Sequence, residues 1–204
     1  MEGINTAADR VEDSPRWPVP PPDGYTVDDL FTLPGLPRHT ELIDGSLVFA
    51  SPRRRFHTDM TDLLVTGLRR TAPPELKVRR EMTVVIDRRN GPEPDVSVVR
   101  AKAVTSSDQT SYPAADVLLA VEVVSPDSEA RDRTAKPLKY AAAGIPYFWL
   151  VEVAGSDKHP IVRTYELDPV SKSYVPIGIF HNQLKTSAPF TVDLDITLEA
   201  LNRL

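Results

Sequence analysis

The chain has 204 residues, 41% of them hydrophobic and 26% charged, ordinary proportions for a water-soluble domain with a real core. It contains no cysteine, which excludes disulfide frameworks, thiolate metal sites and cysteine nucleophiles and fits a reducing cytoplasm. A formal net charge of −5 argues against a generally basic nucleic-acid binder, yet residues 51–90 alone hold ten Lys and Arg against five Asp and Glu. That local excess suits a phosphate-facing surface; its plainer reading is a solvated helix face plus a charged hairpin.

Residues 1–22 read as a flexible proline-rich arm ending in Trp17-Pro18-Val19-Pro20-Pro21-Pro22, ahead of a single domain over 23–204. Glu2 and Asp9 with no apolar run rule against a secretory signal. The apolar stretches 117–124 and 141–153 are too short for a bilayer and contain Glu122 and Glu152, so no membrane span is expected.

Thr26 is placed as an N-cap, with Asp28 and Asp29 in the first turn of a short helix that Pro34 stops. Asp44-Gly45 reads as a two-residue turn joining strands 41–43 and 46–49. Met60, Leu63, Leu64, Gly67 and Leu68 form one apolar stripe on a helix over 57–71. One strand is expected over 76–86, and another over 95–99 after Pro94. Residues 117–124 form the most apolar strand, which belongs in the middle of a sheet covered on both faces. A helix over roughly 130–143 follows, closed by Gly144 and Pro146, with Thr134 as its N-cap or a kink at Pro137. A buried strand over 147–153, a hairpin around Asp168-Pro169 and a short helix near 197–203 complete the chain. The sum is an α/β or α+β domain built on a mixed sheet with helices on both sides.

Glu122 interrupts a strand whose other seven residues are apolar. A carboxylate in such a place needs a paired cation, from the protein or from a metal. If strands 95–99 and 117–124 are neighbours, Asp95 and Glu122 share one end of the sheet and offer oxygen ligands of the kind that suit Mg²⁺ or Mn²⁺. Lys136 opens the helix that must fold back over that strand end. Arg53, Arg54, Arg55, Arg79 and Arg80 are candidate contacts to nucleic-acid phosphates.

Five segments follow one another in a familiar order: Glu41-Leu-Ile-Asp-Gly, Pro94-Asp95-Val96, Val121-Glu122-Val-Val-Ser-Pro-Asp-Ser, Asp132-Arg-Thr-Ala-Lys136, and Tyr140-Ala-Ala-Ala-Gly-Ile-Pro-Tyr-Phe-Trp-Leu-Val-Glu152. In this the chain resembles the Uma-type endonucleases of the PD-(D/E)XK nuclease superfamily, from about residue 26 to 200. The resemblance implies a restriction-endonuclease-like fold and a Mg²⁺- or Mn²⁺-dependent endonuclease acting on nucleic acid, DNA before RNA, as a homodimer. It implies Asp95 and Glu122 as metal ligands, Glu41 as an assisting acid, and His57 and Tyr140 as residues lining the site. The superfamily pattern puts a lysine two residues after the second acid, where this chain has Val124. In the family the lysine sits on the following helix, and Lys136 matches that place. The rival readings are a nuclease fold that binds without chemistry, and a phosphoesterase acting on a small nucleotide.

Overall fold

The computed structural model describes residues 19–156 and 158–204. Most of the arm expected over 1–22 therefore lies outside the described residues, and Val19 to Pro22 are exposed. Helix α1 (Val27–Thr32) starts where the sequence places it: Thr26 Oγ1 accepts from Asp29 N–H, and the Asp29 carboxylate accepts from Thr26 N–H. Strands β1 (Glu41–Ile43) and β2 (Ser46–Val48) pair antiparallel across Asp44 and Gly45, whose φ angles of 51° and 78° are those of the turn that Asp-Gly favours. Helix α2 (Arg55–Thr71) buries Met60, Leu64, Val65 and Leu68. Gly67 lets it approach closely, since a Cβ there would lie 2.7 Å from Leu194.

The strand expected over 76–86 is two strands. β3 (Leu76–Arg80) and β4 (Thr83–Val85) belong to different sheets, and the chain turns between them at Glu81, whose φ of 48° breaks the extended run. β3 buries Val78 alone and β4 buries the adjacent Thr83 and Val84, and periodicity alone does not mark the corner between them. β5 (Val96–Arg100) follows, then the short β6 (Ser111–Pro113), which pairs parallel with β4. β7 (Val117–Val123), β8 (Tyr147–Ala154), β9 (His159–Asp168) and β10 (Ser173–Phe180) complete the main sheet. Its order is β10-β9-β8-β7-β5-β3, with β7 and β8 parallel and the other neighbours antiparallel. β11 (Gln183–Thr186) and β12 (Val192–Asp195) form a small hairpin that the sequence reading missed, and α4 (Leu198–Leu201) ends the chain.

Both faces of the sheet are covered. On one, Val96, Val98, Leu119, Val121 and Val123 pack with α2, the β11–β12 hairpin and Leu201. On the other, Ala120, Phe148 and Leu150 pack with Tyr140, Ile145, Val84 and Tyr112. A parallel pair needs a long crossover, and the segment between β7 and β8 supplies one as a helix. That helix is α3 (Lys136–Ala142), entered through a wide turn over Arg131–Ala135 in which Lys136 N–H bonds back five residues to Arg131 C=O. The wide turn accommodates Pro137, which has no N–H to give an ordinary helical turn. Thr134 is therefore not the N-cap: its backbone is helical and its hydroxyl donates back to Ala130 C=O. The wide turn lies just ahead of Pro137, which falls in the first turn of α3. Among the described residues no helix is long and apolar enough to cross a membrane.

Candidate active site

The antiparallel register pairs Val96 with Val121, and one step further sets Asp95 opposite Glu122. Directly opposed residues point to the same face of a sheet. Asp95 and Glu122 therefore share the face that α3 covers, at the end of β7 from which the crossover leaves. The first turn of α3 must start beside that end, which brings Lys136 to Glu122. The β1–β2 hairpin brings Glu41 in from the other side.

Lys136 is the hub. Its Nζ lies 2.8 Å from Glu41 Oε1, 2.9 Å from Glu122 Oε2 and 3.3 Å from Asp132 Oδ1. It is buried, and so are Glu41, Asp95, Glu122 and Asp132. Tyr140 O–H donates to Glu122 Oε1 at 2.6 Å, so both oxygens of Glu122 are bound from α3. Asp95 Oδ2 accepts from Val123 N–H at 2.7 Å. Asp95 Oδ1 faces His57 Nε2 at 3.0 Å and Arg53 Nη1 at 3.1 Å, and those two nitrogens lie 2.8 Å apart. Glu41 Oε1 also accepts Glu93 N–H at 2.8 Å, which fixes the hairpin to the strand entry. His39 Nδ1 meets Glu93 Oε1 at 2.6 Å on the rim.

The electrostatics follow from four buried acids facing one buried lysine and one half-buried arginine. Burial pushes the Glu122 carboxyl well above the ordinary range; Lys136 opposes this, while Asp132, Asp95 and Glu41 reinforce it. Burial also raises Asp132, again against the pull of Lys136. For Asp95 the burial effect is outweighed by the His57 contact and by the charges of His57, Arg53 and Lys136, and its carboxyl is held below the usual range. Burial would lower Lys136, but the surrounding carboxylates, Glu122 first, hold it well above 10.5. Lys136 is thus an ammonium at any physiological pH, a donor and a charge rather than a base.

These residues border a small polar pocket of about 40 Å³. That is room for an ion or a few waters, and too little for a nucleotide base. The donor set is oxygen-only and carries more negative charge than the adjacent cations offset, which suits a hard divalent cation. Asp132 Oδ1 is buried and accepts no hydrogen bond in spite of its distance to Nζ. The residues therefore fit such an ion by type and charge. They are not a preformed cage, since among the described residues no three His, Asp or Glu side chains converge on one point.

Of the arginines expected at phosphates, Arg53 and Arg54 border the pocket. The structure turns the other three elsewhere. Arg55 pairs with Asp59 and Asn202, Arg79 donates to Tyr112, and Arg80 pairs with Asp62 and Glu81. Asp132, Glu93, His39 and Arg131 belong to the pocket and were not picked out from the sequence. Asp132 had a signal available, because it lies four residues before Lys136 on one helical face. Glu93 and Arg131 had none beyond their charge.

The Tyr140 hydroxyl gives a direct check on the Glu122 environment. Tyr140→Phe leaves a buried carboxylate oxygen without its donor, and is expected to lower stability by about 1–3 kcal/mol. A denaturant midpoint equal to that of the wild-type chain would show that the bond carries nothing.

No curated protein matches the chain in sequence. In fold it is similar to a crystal structure from Anabaena variabilis ATCC 29413, "a putative nuclease belonging to DUF820", with a TM-score of 0.64 at 18% sequence identity. That likeness covers 86% of this chain and 96% of the other. The model of the Uma2 family, described as "Putative restriction endonuclease", matches residues 27–199, and the chain belongs to that family.

Proposed function

We propose that the protein is a divalent-metal-dependent endonuclease whose site is Asp95, Glu122, Lys136 and Glu41. The observation that carries this reading is the convergence of those four side chains, from β1, the entry to β5, β7 and α3, on one small pocket. Asp95 and Glu122 would hold Mg²⁺ or Mn²⁺, with Glu41 on the opposite wall. A bound divalent cation supplies Lewis-acid activation of a water and of the phosphodiester. The chain's own residues do the rest. Lys136, fixed by Glu41 and Asp132 as well as Glu122, keeps an ammonium beside the reacting phosphate, where its charge opposes the negative charge that builds up. Tyr140 fixes the rotamer of Glu122, and Val123 N–H together with His57 fixes that of Asp95. The pocket has room for an ion or a few waters but not for a base, so a phosphodiester would meet it from outside, and chemistry at this point would be blind to base identity. We take DNA as the substrate, and a homodimer as the form that would cut both strands of a duplex.

The test is cleavage of supercoiled plasmid by purified protein. We expect nicking or linearisation in Mn²⁺ or Mg²⁺ that stops in EDTA. Cleavage that persists in EDTA overturns the metal dependence. No cleavage in any divalent ion, from folded protein, favours the second reading, a nuclease fold that binds without cutting. That second reading has one observation behind it: Asp95 and Glu122 are both held by protein cations. Calorimetric titration with Mn²⁺ separates the two, since a site that only binds nucleic acid takes up no ion.

A further inference from the structure

Four of the cationic groups around the pocket are committed or free in a pattern that the proposed reaction does not use. Arg53 is held by Asp95 and Glu81, and Lys136 by three carboxylates. Arg54 and Arg131 differ. Among the described residues neither guanidinium makes an ion pair or a hydrogen bond, and Arg131 Nε is buried with no partner at all. Both border a pocket lined by Glu41, Asp95, Glu122 and Asp132, yet neither has collapsed onto an acid. They come from separate segments, the residue before α2 and the wide turn before α3, that meet at this pocket.

Arg54 is exposed and Arg131 half-buried, and the planar fork of an uncommitted guanidinium matches the two free oxygens of a phosphodiester. We infer that Arg54 and Arg131 form a two-pronged clamp on the nucleic-acid backbone at the pocket mouth, holding phosphates so that one of them sits over Lys136. Ser125 and Ser128 border the same pocket, their hydroxyls 2.9 Å apart and bonded to each other, with exposed Asp127 and buried Asp132 as the acids beside them. Both prongs would address phosphate oxygens, so the clamp reads backbone and not sequence. Arg54 and Arg131 are positioning residues here. The inference rests on the nuclease reading for its substrate, but it is tested without cleavage.

The experiment is salt-dependent binding of a short fluorescent DNA duplex, followed by anisotropy in a Glu122→Gln background. Each phosphate contact contributes about 0.9 to the slope of log affinity against log salt. We expect Arg131→Ala to lower the slope by about 1 and to weaken low-salt binding about tenfold, with Arg54→Ala similar and the double variant close to additive. Arg131→Lys should restore most of the slope but not the tight binding, because it keeps charge without the fork. Melting temperatures should stay within about 2 °C, since neither side chain has a partner to lose. An unchanged slope in the double variant overturns the clamp even if the wild-type chain cuts DNA. A background chain that binds no duplex at any salt overturns it too. Loss of slope in a protein whose wild-type form never cuts supports the clamp and removes the nuclease reading instead.

Discussion

Glu122→Gln should cut Mn²⁺-supported cleavage by about 10²–10³-fold and, in metal-free buffer at neutral pH, make the protein more stable rather than less. The two effects have one cause. Glu122 lies among three other buried acids, and burial with their repulsion raises its carboxyl well above 4.5 in the folded chain. A carboxyl raised on folding binds more protons folded than unfolded, so its contribution to stability falls as pH rises from the unfolded value towards the folded one. Above that window the folded chain carries an ionised Glu122 at a cost. Glutamine keeps the shape and removes the cost: its one carbonyl oxygen still accepts from Lys136, and its NH2 takes the place of the oxygen that accepted from Tyr140, whose hydroxyl can turn to accept instead. The difference in melting temperature should therefore be near zero at pH 4, where the wild-type side chain is protonated in both states. It should open as pH rises, by about 2–4 °C for each kcal/mol recovered. Saturating Mn²⁺ should reverse the order, because only the wild-type site gains the ion. A glutamine variant that is less stable than the wild type at pH 8 without metal would sink this account of the site. So would one that cuts as fast as the wild type.

The trade is of a kind expected at catalytic centres, where charges are held together against their preference. It also explains why Glu122 was legible in the sequence: a carboxylate inside an otherwise apolar strand has no role in packing. Asp95 became legible only through its neighbour, since an acid after a proline more often serves a turn. The register of β5 on β7, which the strand pattern suggests but cannot fix, turns two isolated oddities into a facing pair. Lys136 was legible because a crossover helix has to begin near the strand it leaves. What stayed hidden depended on backbone that no periodicity encodes. The corner at Glu81 divides an alternating run between two sheets, and the wide turn at Arg131–Ala135 decides which helix residues face inward. Asp132 was lost to the second of these in spite of its four-residue spacing from Lys136. A standard helix started at Thr134 leaves Asp132 outside, whereas the turn observed carries it into the pocket, buried against Lys136. The basic segment 51–90 misled in the same way. Its charge is real, but α2 and β3 turn Arg55, Arg79 and Arg80 towards Asp59, Asp62, Glu81 and Tyr112, and the pocket receives only the two arginines just ahead of α2.

Lys136→Met should be the most damaging single change for folding, at about 3–5 kcal/mol in metal-free buffer at neutral pH. Methionine matches the stem but deletes the charge that faces Glu122, Glu41 and Asp132. Three buried carboxyls then share no cation, and the two already raised, Glu122 and Asp132, rise further. The folded variant takes up protons to survive, so its deficit should shrink as pH falls towards 5 and grow towards 8. That sign is distinctive, because loss of packing alone would be independent of pH. Lys136's own titration does not enter: its folded value lies above 10.5, so the stability it gives is fully present below the unfolded value and fades only in strong alkali. A divalent cation should repair part of the damage, since it answers the same excess of negative charge from a neighbouring position. We therefore expect Mn²⁺ to raise the melting temperature of Lys136→Met by more than it raises that of the wild type, while cleavage stays lost because the ammonium beside the phosphate is missing. Thermal melts from pH 5 to pH 8, with and without Mn²⁺, measure both. A deficit that is flat across that range, and indifferent to the ion, would mean that the lysine is held there for packing and that the acids around it are not a site for a metal.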